Sequence, residues 1–241
     1  MGLRLENEIL HGKKLAAKGA EDVWNWSGPV GQARANRRAE YFVQTAHITS
    51  SDRGLEIGCG TGLFTRKVQE ATRADITATD LSEDLLEEAR AKFPAGNFVV
   101  ADAMHLEFPD NSFDVVYGSS ILHHLEMHKA LDEIFRVMKP KGRMVFAEPN
   151  MLNPQILIQK NIPFIKAWLG DSPDETAIVR WKFETMMKFS GFREIRIFPY
   201  DFLHPITPKA LIGVVHSVGA FIEKIPLLKE IAGSVIIYGE K

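Results

Sequence analysis

Short β-rich runs alternate with amphipathic helical stretches between residues 52 and 150. Because neighbouring parallel strands need a crossover between them, usually a helix, this alternation predicts a parallel sheet with helices on both faces. Five strands are predicted there: Arg53–Ile57, Asp75–Asp80, Asn97–Ala101, Phe113–Tyr117 and Gly142–Glu148. Later in the chain the pattern predicts two more strands, Arg193–Phe198 and Ser234–Gly239, with a helix over residues 208–224 between them.

Cysteine content and net charge exclude several classes of protein. Cys59 is the single cysteine, and the formal net charge is −2. One cysteine excludes an intramolecular disulfide and offers no cysteine cluster for zinc, and the small net charge gives no general attraction to nucleic acid. Neither a signal peptide nor an apolar run of about 20 residues is recognisable. We therefore expect a cytoplasmic protein without a metal site or a nucleic-acid partner.

A glycine-rich turn, Gly58-Cys59-Gly60-Thr61-Gly62, separates the first strand from the helix that follows it. Glycines permit a tight turn and a close approach of the backbone to a ligand. The dehydrogenase fingerprint needs its third glycine where this chain has Leu63, and the Gly-Lys-Ser/Thr of a P-loop is also missing. Taken alone, the turn is weak evidence for a ligand site, because an ordinary tight strand–helix connection is the alternative.

Acidic residues close the next two predicted strands. Asp80 ends the second strand, where a carboxylate can accept both hydrogen bonds of a ribose diol. Asp102 follows the third strand, where it can accept from an adenine amino group while Ala103 offers a backbone N–H. Asp80 could instead cap the helix beside Ser82, and the two roles are compatible. Three such turns at three successive strand ends indicate one cofactor pocket.

These motifs together resemble those of the class I S-adenosylmethionine-dependent methyltransferases. The resemblance covers residues 40–150 well and Phe183–Phe198 more loosely. It is carried by five stretches: Leu55–Gly62, Thr79–Ser82, Asp102–Asp114, Ile121–Leu125 and Leu131–Gly142.

The resemblance implies a Rossmann-like α/β sheet of seven strands, the last antiparallel, and S-adenosylmethionine as cofactor, with S-adenosylhomocysteine as product. The turn would pack against the methionyl part, Asp80 would bind the ribose, and Asp102 with Ala103 the adenine. Arg34 or Arg38 could pair with the methionyl carboxylate. The full set of implied cofactor-binding residues is Glu56, Gly58, Cys59, Gly60, Thr61, Gly62, Asp80, Leu81, Asp102, Ala103 and Ser119, the last near the sulfonium.

A single domain with four parts is predicted: an N-terminal helical cap (1–45), a cofactor-binding core (46–148), an apolar lid insertion (149–180) and C-terminal helices and strands (181–241). The lid would be built from Met151-Leu152, Ile156–Ile158, Ile162–Ile165 and Trp168-Leu169. Residues 210–225 are also apolar on more than one helical face. Core packing or a dimer contact would explain these apolar residues; a hydrophobic acceptor or contact with a membrane surface is the alternative. The chain is expected to be a monomer or a homodimer.

Methyl transfer from a sulfonium is an in-line displacement that needs at most one general base. His123, His124 and Glu148 follow or end strands at the edge where the methyl group should lie, so they are the candidate catalytic residues. His124 could instead be structural beneath the cofactor, and Glu148 could be a cap or an ion-pair partner. Tyr200 and His204 are further candidates, although a lone histidine in a loop is more often a surface residue.

The predicted function is methyl transfer to a small-molecule or lipid-like acceptor. One alternative is a binding protein that holds S-adenosylmethionine as a partner or regulator without turnover. A nicotinamide-dependent oxidoreductase is disfavoured by the missing third glycine.

Overall fold

The computed structural model describes residues 3–169 and 176–241. Seven strands in these residues form one sheet in the order β3-β2-β1-β4-β5-β7-β6. Their bounds are β1 Arg53–Ile57, β2 Asp75–Asp80, β3 Asn97–Val100, β4 Phe113–Ser119, β5 Met138–Pro149, β6 Arg193–Tyr200 and β7 Ser234–Glu240. The first five strands are parallel, and β7 runs antiparallel to both β5 and β6. The predicted sheet with its antiparallel last strand is therefore confirmed.

Ten α-helices surround the sheet in the described residues. They are α1 Leu3–Lys18, α2 Ala20–Val23, α3 Pro29–Thr45, α4 Leu63–Thr72, α5 Glu83–Lys92, α6 Met127–Val137, α7 Pro154–Asn161, α8 Pro163–Leu169, α9 Arg180–Phe189 and α10 Ile212–Ile222. Short 3₁₀ turns cover Leu122–His124, Lys209–Leu211 and Leu228–Ile231. The predicted helix over 208–224 is shorter because Pro208 is extended and a 3₁₀ turn precedes α10.

Alternate residues of the central strands enter two separate cores, as the pleat of a strand requires. Leu55 and Val116 pack with α6 and α9 on one face of the sheet. Val115 and Tyr117 pack with α3 and α4 on the other. The helices thus cover both faces and leave the edge at the carboxyl ends of the parallel strands for a ligand.

Strand β5 begins four residues earlier than Gly142, where the prediction placed it. Its pairing with β4 jumps from Phe113 opposite Met138 to Val115 opposite Arg143, so the residues between form a bulge. Lys141 adopts a φ of 67° in this bulge. The predicted turn at residues 139–142 is therefore present, but it lies inside the strand.

The N-terminal region is helical, and α1 lies against the start of α5. Gly12 is so close to Ser82 that a Cβ on the glycine would lie 2.6 Å from the serine Cβ. Leu15 and Ala20 share a small buried cluster with Leu85 of α5. The first helices are thereby held beside the ends of β1 and β2.

The chain after β5 forms α7 and α8 and then returns to the sheet. Ile178 N donates to Pro149 O at 2.9 Å, and Met151 N donates to Ile178 O at 3.0 Å. Ile156 of this predicted lid lines the main cavity, whereas Phe164 is 75% exposed. The side chains of Trp168 and Leu169 lie outside the described residues.

The core-packing interpretation of residues 210–225 is wrong for α10, because most of this helix is exposed. Gly219 is the one buried residue that the structure gives this helix, and Val214 and Phe221 are more than 60% exposed. Among the described helices, none is long and apolar enough to cross a bilayer.

Candidate functional site

A cavity of about 630 Å³ opens at the carboxyl ends of the parallel strands. This volume suits a metabolite-sized ligand. Nine of the predicted cofactor-binding residues line it: Gly58, Cys59, Gly60, Thr61, Asp80, Leu81, Asp102, Ala103 and Ser119. The catalytic candidates His123 and His124 line it as well, so residues from four strand ends converge on one space.

All three glycines of the turn adopt positive φ, at 68° for Gly58, 52° for Gly60 and 76° for Gly62. Only glycine adopts this conformation without strain. Trp24 packs on Gly60, and a Cβ there would lie 2.9 Å from its ring. Gly62 packs instead against Phe98 and is not among the residues that line the cavity.

Cys59 is a small buried residue of the turn, 6% exposed. Burial and the neighbouring carboxylates raise the pKa of its thiol well above the ordinary value. A protonated, buried thiol is a poor nucleophile, so Cys59 contributes shape to the cavity wall.

Asp80 connects the glycine turn to the next helix. Its Oδ2 accepts from Gly60 N at 2.8 Å, and its Oδ1 accepts from Ser82 N at 2.9 Å. Ser82 in turn caps α5 by accepting from Leu85 N. Asp80 therefore lies beside the N-cap of α5 and also lines the cavity, so its two predicted roles are compatible. The two N–H groups hold its carboxylate in a fixed orientation at the cavity wall.

Asp102 is oriented by its own turn. Its Oδ1 accepts from Met104 N at 2.9 Å, and an isolated bridge pairs Asp102 with His105. Both Asp102 and Ala103 line the cavity on the side of β3. The glycine turn, Asp80 and Asp102 thus form three adjacent parts of one wall.

Glu56 does not line the cavity, although it belongs to the predicted cofactor set. Its side chain points into the core under α4 and is 1% exposed. The Glu56 Oε2 accepts from Thr65 Oγ1 at 2.6 Å and from Tyr117 OH at 2.9 Å. Burial raises the pKa of Glu56 to about 7 despite these hydrogen bonds.

We expect Glu56→Gln to remove a pH-dependent component of stability. The folded-state pKa of about 7 lies above the ordinary 4.5, so the folded protein keeps a proton that the unfolded chain has released. Stability should therefore fall as pH rises between these values, by at most about 1.4 kcal/mol per pH unit. Urea unfolding between about pH 5 and 8 should show the variant gaining stability relative to the wild type as pH rises. Parallel plots of unfolding free energy against pH for the variant and the wild type would contradict this prediction.

Arg38 is a buried cation, 3% exposed, that lines the cavity. Four hydrogen bonds hold it, and all four acceptors are neutral hydroxyl groups: Tyr200, Ser119, Ser120 and Ser234, at 2.8–3.2 Å. A guanidinium has five N–H donors, so one remains beyond these four. Arg34 differs, because it pairs with Asp201 at 2.8 Å. Of the two predicted carboxylate partners, Arg38 is therefore the one that no described acid neutralises.

His123 and Glu148 form a buried pair at the cavity floor. His123 Nδ1 lies 2.6 Å from Glu148 Oε2, while Glu148 Oε1 accepts the backbone N–H groups of Ile121 and Leu122 at 2.9 Å each. Burial raises the pKa of Glu148, but His123 and the two N–H groups lower it more, so the net pKa lies below its ordinary value. The His124 ring packs on His123 with centroids 4.3 Å apart.

The remaining candidates lie away from the cavity wall. Tyr200 is buried and holds Arg38. His204 is exposed and contacts Gln155 at 2.9 Å. No group of three or more His, Cys, Asp or Glu side chains in the described residues could hold a metal ion.

The N-terminal helices, predicted as a cap, supply one wall of the cavity through contacts that the sequence did not predict. Thr61 Oγ1 donates to Glu21 Oε1 at 2.9 Å, and Lys92 also contacts that oxygen. His11 and Trp24 also line the cavity. Nothing in the local pattern of residues 1–45 identified these partners, because the contacts join segments 40 or more residues apart.

Part of the chain is similar in sequence to known methyltransferases. Residues 55–146 match a family model described as a methyltransferase domain. A demethylmenaquinone methyltransferase of Paenarthrobacter aurescens is 34% identical over 163 residues, 64% of this chain and 62% of its own length. The chain spans about half to two thirds of the length of the curated relatives compared.

Two solved structures share the fold. A Haloferax volcanii methyltransferase in complex with the activator Trm112 has a TM-score of 0.66 at 18% identity, covering 95% of this chain and 96% of that chain. Geranyl diphosphate C-methyltransferase of Streptomyces coelicolor, in complex with Mg²⁺, geranyl diphosphate and S-adenosylhomocysteine, has a TM-score of 0.61 at 14% identity, covering 85% and 78%. These shared folds confirm the predicted sheet, and the match of residues 55–146 to the methyltransferase-domain model agrees with the predicted resemblance to class I methyltransferases.

Proposed function

We propose that this chain, whose residues 55–146 match the model of a methyltransferase domain, transfers the methyl group of S-adenosylmethionine to a small-molecule acceptor with a hydrophobic part. One observation carries the proposal. The glycine turn, Asp80 and Asp102 lie at the ends of three neighbouring strands and face one cavity, together with a buried arginine that no described acid neutralises. A dinucleotide site is not favoured, because Leu63 occupies the third-glycine position.

The residues of the cavity fit the parts of this cofactor. Asp80 would accept the ribose hydroxyl groups, and Asp102 with the N–H of Ala103 would bind the adenine. Arg38 would pair with the methionyl carboxylate, a role that suits a buried cation held by hydroxyl groups. Bound S-adenosylmethionine supplies an activated methyl group on a sulfonium, and the protein has to orient the acceptor and exclude water.

The acceptor side of the cavity favours a partly apolar substrate. Ile156 and Leu125 line it together with Pro149, while Gln159 and Lys160 add polar groups. Two of the compared proteins are named for demethylmenaquinone and for geranyl diphosphate. An isoprenoid or other lipid-like acceptor fits both the lining and these relationships.

His123 is the proposed general base for an acceptor that loses a proton, with Glu148 as its positioning residue. A carboxylate at Nδ1 fixes the imidazole orientation and stabilises its protonated form. His124 beside it is the other candidate on the cavity surface. Glu148 itself is fully buried, so its role would be exerted through His123.

We expect Asp80→Asn to weaken S-adenosylmethionine binding about 10- to 150-fold, or about 1.5–3 kcal/mol, the scale for losing charge-assisted hydrogen bonds. Isothermal titration calorimetry measures this directly. Asp110→Asn is the matched control, because Asp110 is an exposed acid paired with Arg136 away from the cavity. Unchanged affinity in Asp80→Asn would remove Asp80 from the cofactor site.

Two measurements test the function as a whole. Calorimetry with S-adenosylmethionine and with NAD should give saturable binding of the first alone; NAD binding without S-adenosylmethionine binding would reject the proposal. Incubation with methyl-labelled cofactor and a cell extract, followed by separation of lipid and aqueous fractions, should then place the label in the lipid fraction. Cofactor binding without label in any fraction would instead favour a regulator without turnover.

A further inference from the structure

Helix α10 exposes an apolar surface that the proposed reaction does not use. Leu211, Val214, Val218 and Phe221 form one stripe along it and are 48–64% exposed. The rest of the helix is apolar as well, apart from His216 and Ser217. A helix that is apolar all round is normally buried in a core or in lipid, and this one is not buried in the protein.

Two neighbouring segments extend this exposed face. Leu227 is 83% exposed after α10, and Leu157 and Ile158 of α7 are 47% and 50% exposed. Asn153 at the start of α7 donates from Nδ2 to Ile231 O at 2.8 Å, so α7 and residues 227–231 lie side by side. We refer to the exposed side chains of α10, residues 227–231 and α7 as the apolar surface.

The charges around the apolar surface are positive. Lys209, Lys224 and Lys229 border α10 and form no ion pair with any described acid. The two acids of the same stretch are already neutralised, Glu223 by Arg37 and Glu230 by Arg180. Apolar side chains bordered by lysines complement an anionic lipid surface, which takes up both.

We propose that the apolar surface docks the protein onto a bilayer that contains anionic lipid. Helix α10 has 11 residues, about 17 Å, against a hydrocarbon core of about 30 Å, so it would lie within the interface and not span it. A second copy of the chain is a poorer occupant, because a twofold contact would place the unpaired lysines of both copies against each other. The docking is independent of methyl transfer, although α7 joins the apolar surface to the cavity through Ile156 and Gln159.

Co-sedimentation of the whole chain with vesicles tests the docking. Wild-type protein should bind vesicles of phosphatidylcholine with phosphatidylglycerol more tightly than vesicles of phosphatidylcholine alone. The double variant Val214→Ser/Phe221→Ser should lose at least about tenfold in partitioning to both, since two apolar side chains no longer enter the interface. Replacing Lys209, Lys224 and Lys229 together with glutamine should lower binding to the anionic vesicles about a hundredfold, at about fivefold for each lysine.

Phe189→Ser is the matched control for the apolar substitutions. Phe189 is 83% exposed and precedes the start of β6, whereas α10 follows the far end of that strand. Binding of this variant should equal that of the wild type, and thermal unfolding should confirm that all variants fold. Absence of vesicle binding, or binding that the Val214/Phe221 variant leaves unchanged, would overturn the proposal. A dimer that the same variant dissociates, without vesicle binding, would overturn it in favour of a second copy.

Discussion

The Glu148→Ala variant is expected to lose about 3–5 kcal/mol of unfolding free energy, the range for removing one member of a buried charged pair. The Glu148 side chain is fully buried and accepts hydrogen bonds from two backbone N–H groups and from His123. Alanine would leave two buried donors and an imidazole without their acceptor. The 3₁₀ turn Leu122–His124, which brings both histidines to the cavity, depends on this carboxylate.

Urea unfolding at neutral pH measures the loss, with Glu126→Ala as control. Glu126 pairs with Lys129 on the surface, where both side chains are about half exposed or more, so its removal should cost less than about 1 kcal/mol. Because the folded-state pKa of Glu148 lies below the ordinary 4.5, its contribution is present above that pH and is lost as the pH falls through the folded-state pKa. A loss similar to that of the control at neutral pH would contradict the role assigned to Glu148.

The sequence was sufficient to predict the sheet and most of the cavity wall, for a topological reason. Successive parallel strands joined by crossovers end at the same edge of the sheet, so the residues that end or follow β1, β2 and β3 meet there. Gly60, Asp80 and Asp102 obey this rule. The same rule brings His123 to Glu148, because β4 and β5 are parallel neighbours with Ser119 opposite Ala147.

Glu56 shows where motif matching alone is insufficient. It lies inside the matching stretch Leu55–Gly62, yet strand alternation directs it away from Leu55 and Ile57 and into the core beneath α4. Its carboxyl therefore links β1 to α4 through Thr65 and to β4 through Tyr117, behind the cavity wall. Attention to the two-residue period of β1 would have separated this acid from the residues that face the cavity.

Contacts between distant segments could not be predicted from the sequence. The exposure of the apolar side chains of α10 could not be predicted either. Trp24 covers Gly60 and Glu21 binds Thr61 only because α1 and α2 fold back over the turn. Helix α10 has the composition of a core helix, and its exposure depends on what the rest of the chain leaves uncovered. Local propensity contains no information about either outcome.

Arg38→Gln should weaken S-adenosylmethionine binding by about 2–5 kcal/mol, or about 30- to 4000-fold, the range for truncating one partner of a buried, hydrogen-bonded charge pair. The expected loss exceeds that for Asp80→Asn because Arg38 is almost fully buried, and its four protein partners are hydroxyl groups that leave its charge uncompensated. A ligand carboxylate would compensate that charge. Arg34→Gln is the control, since Asp201 already neutralises Arg34 at the same cavity wall.

A second ligand separates carboxylate binding from a structural role of Arg38. Methylthioadenosine retains the adenosine and sulfur of the cofactor but has no methionyl carboxylate. Its affinity should be nearly the same for the wild type and Arg38→Gln, while the affinity for S-adenosylmethionine falls by the full amount, as calorimetry with both ligands would measure. The difference between the two losses then reports the coupling between Arg38 and the carboxylate. Equal losses for both ligands would mean that Arg38 maintains the shape of the cavity through Tyr200, Ser119 and Ser234, and that the carboxylate is bound elsewhere.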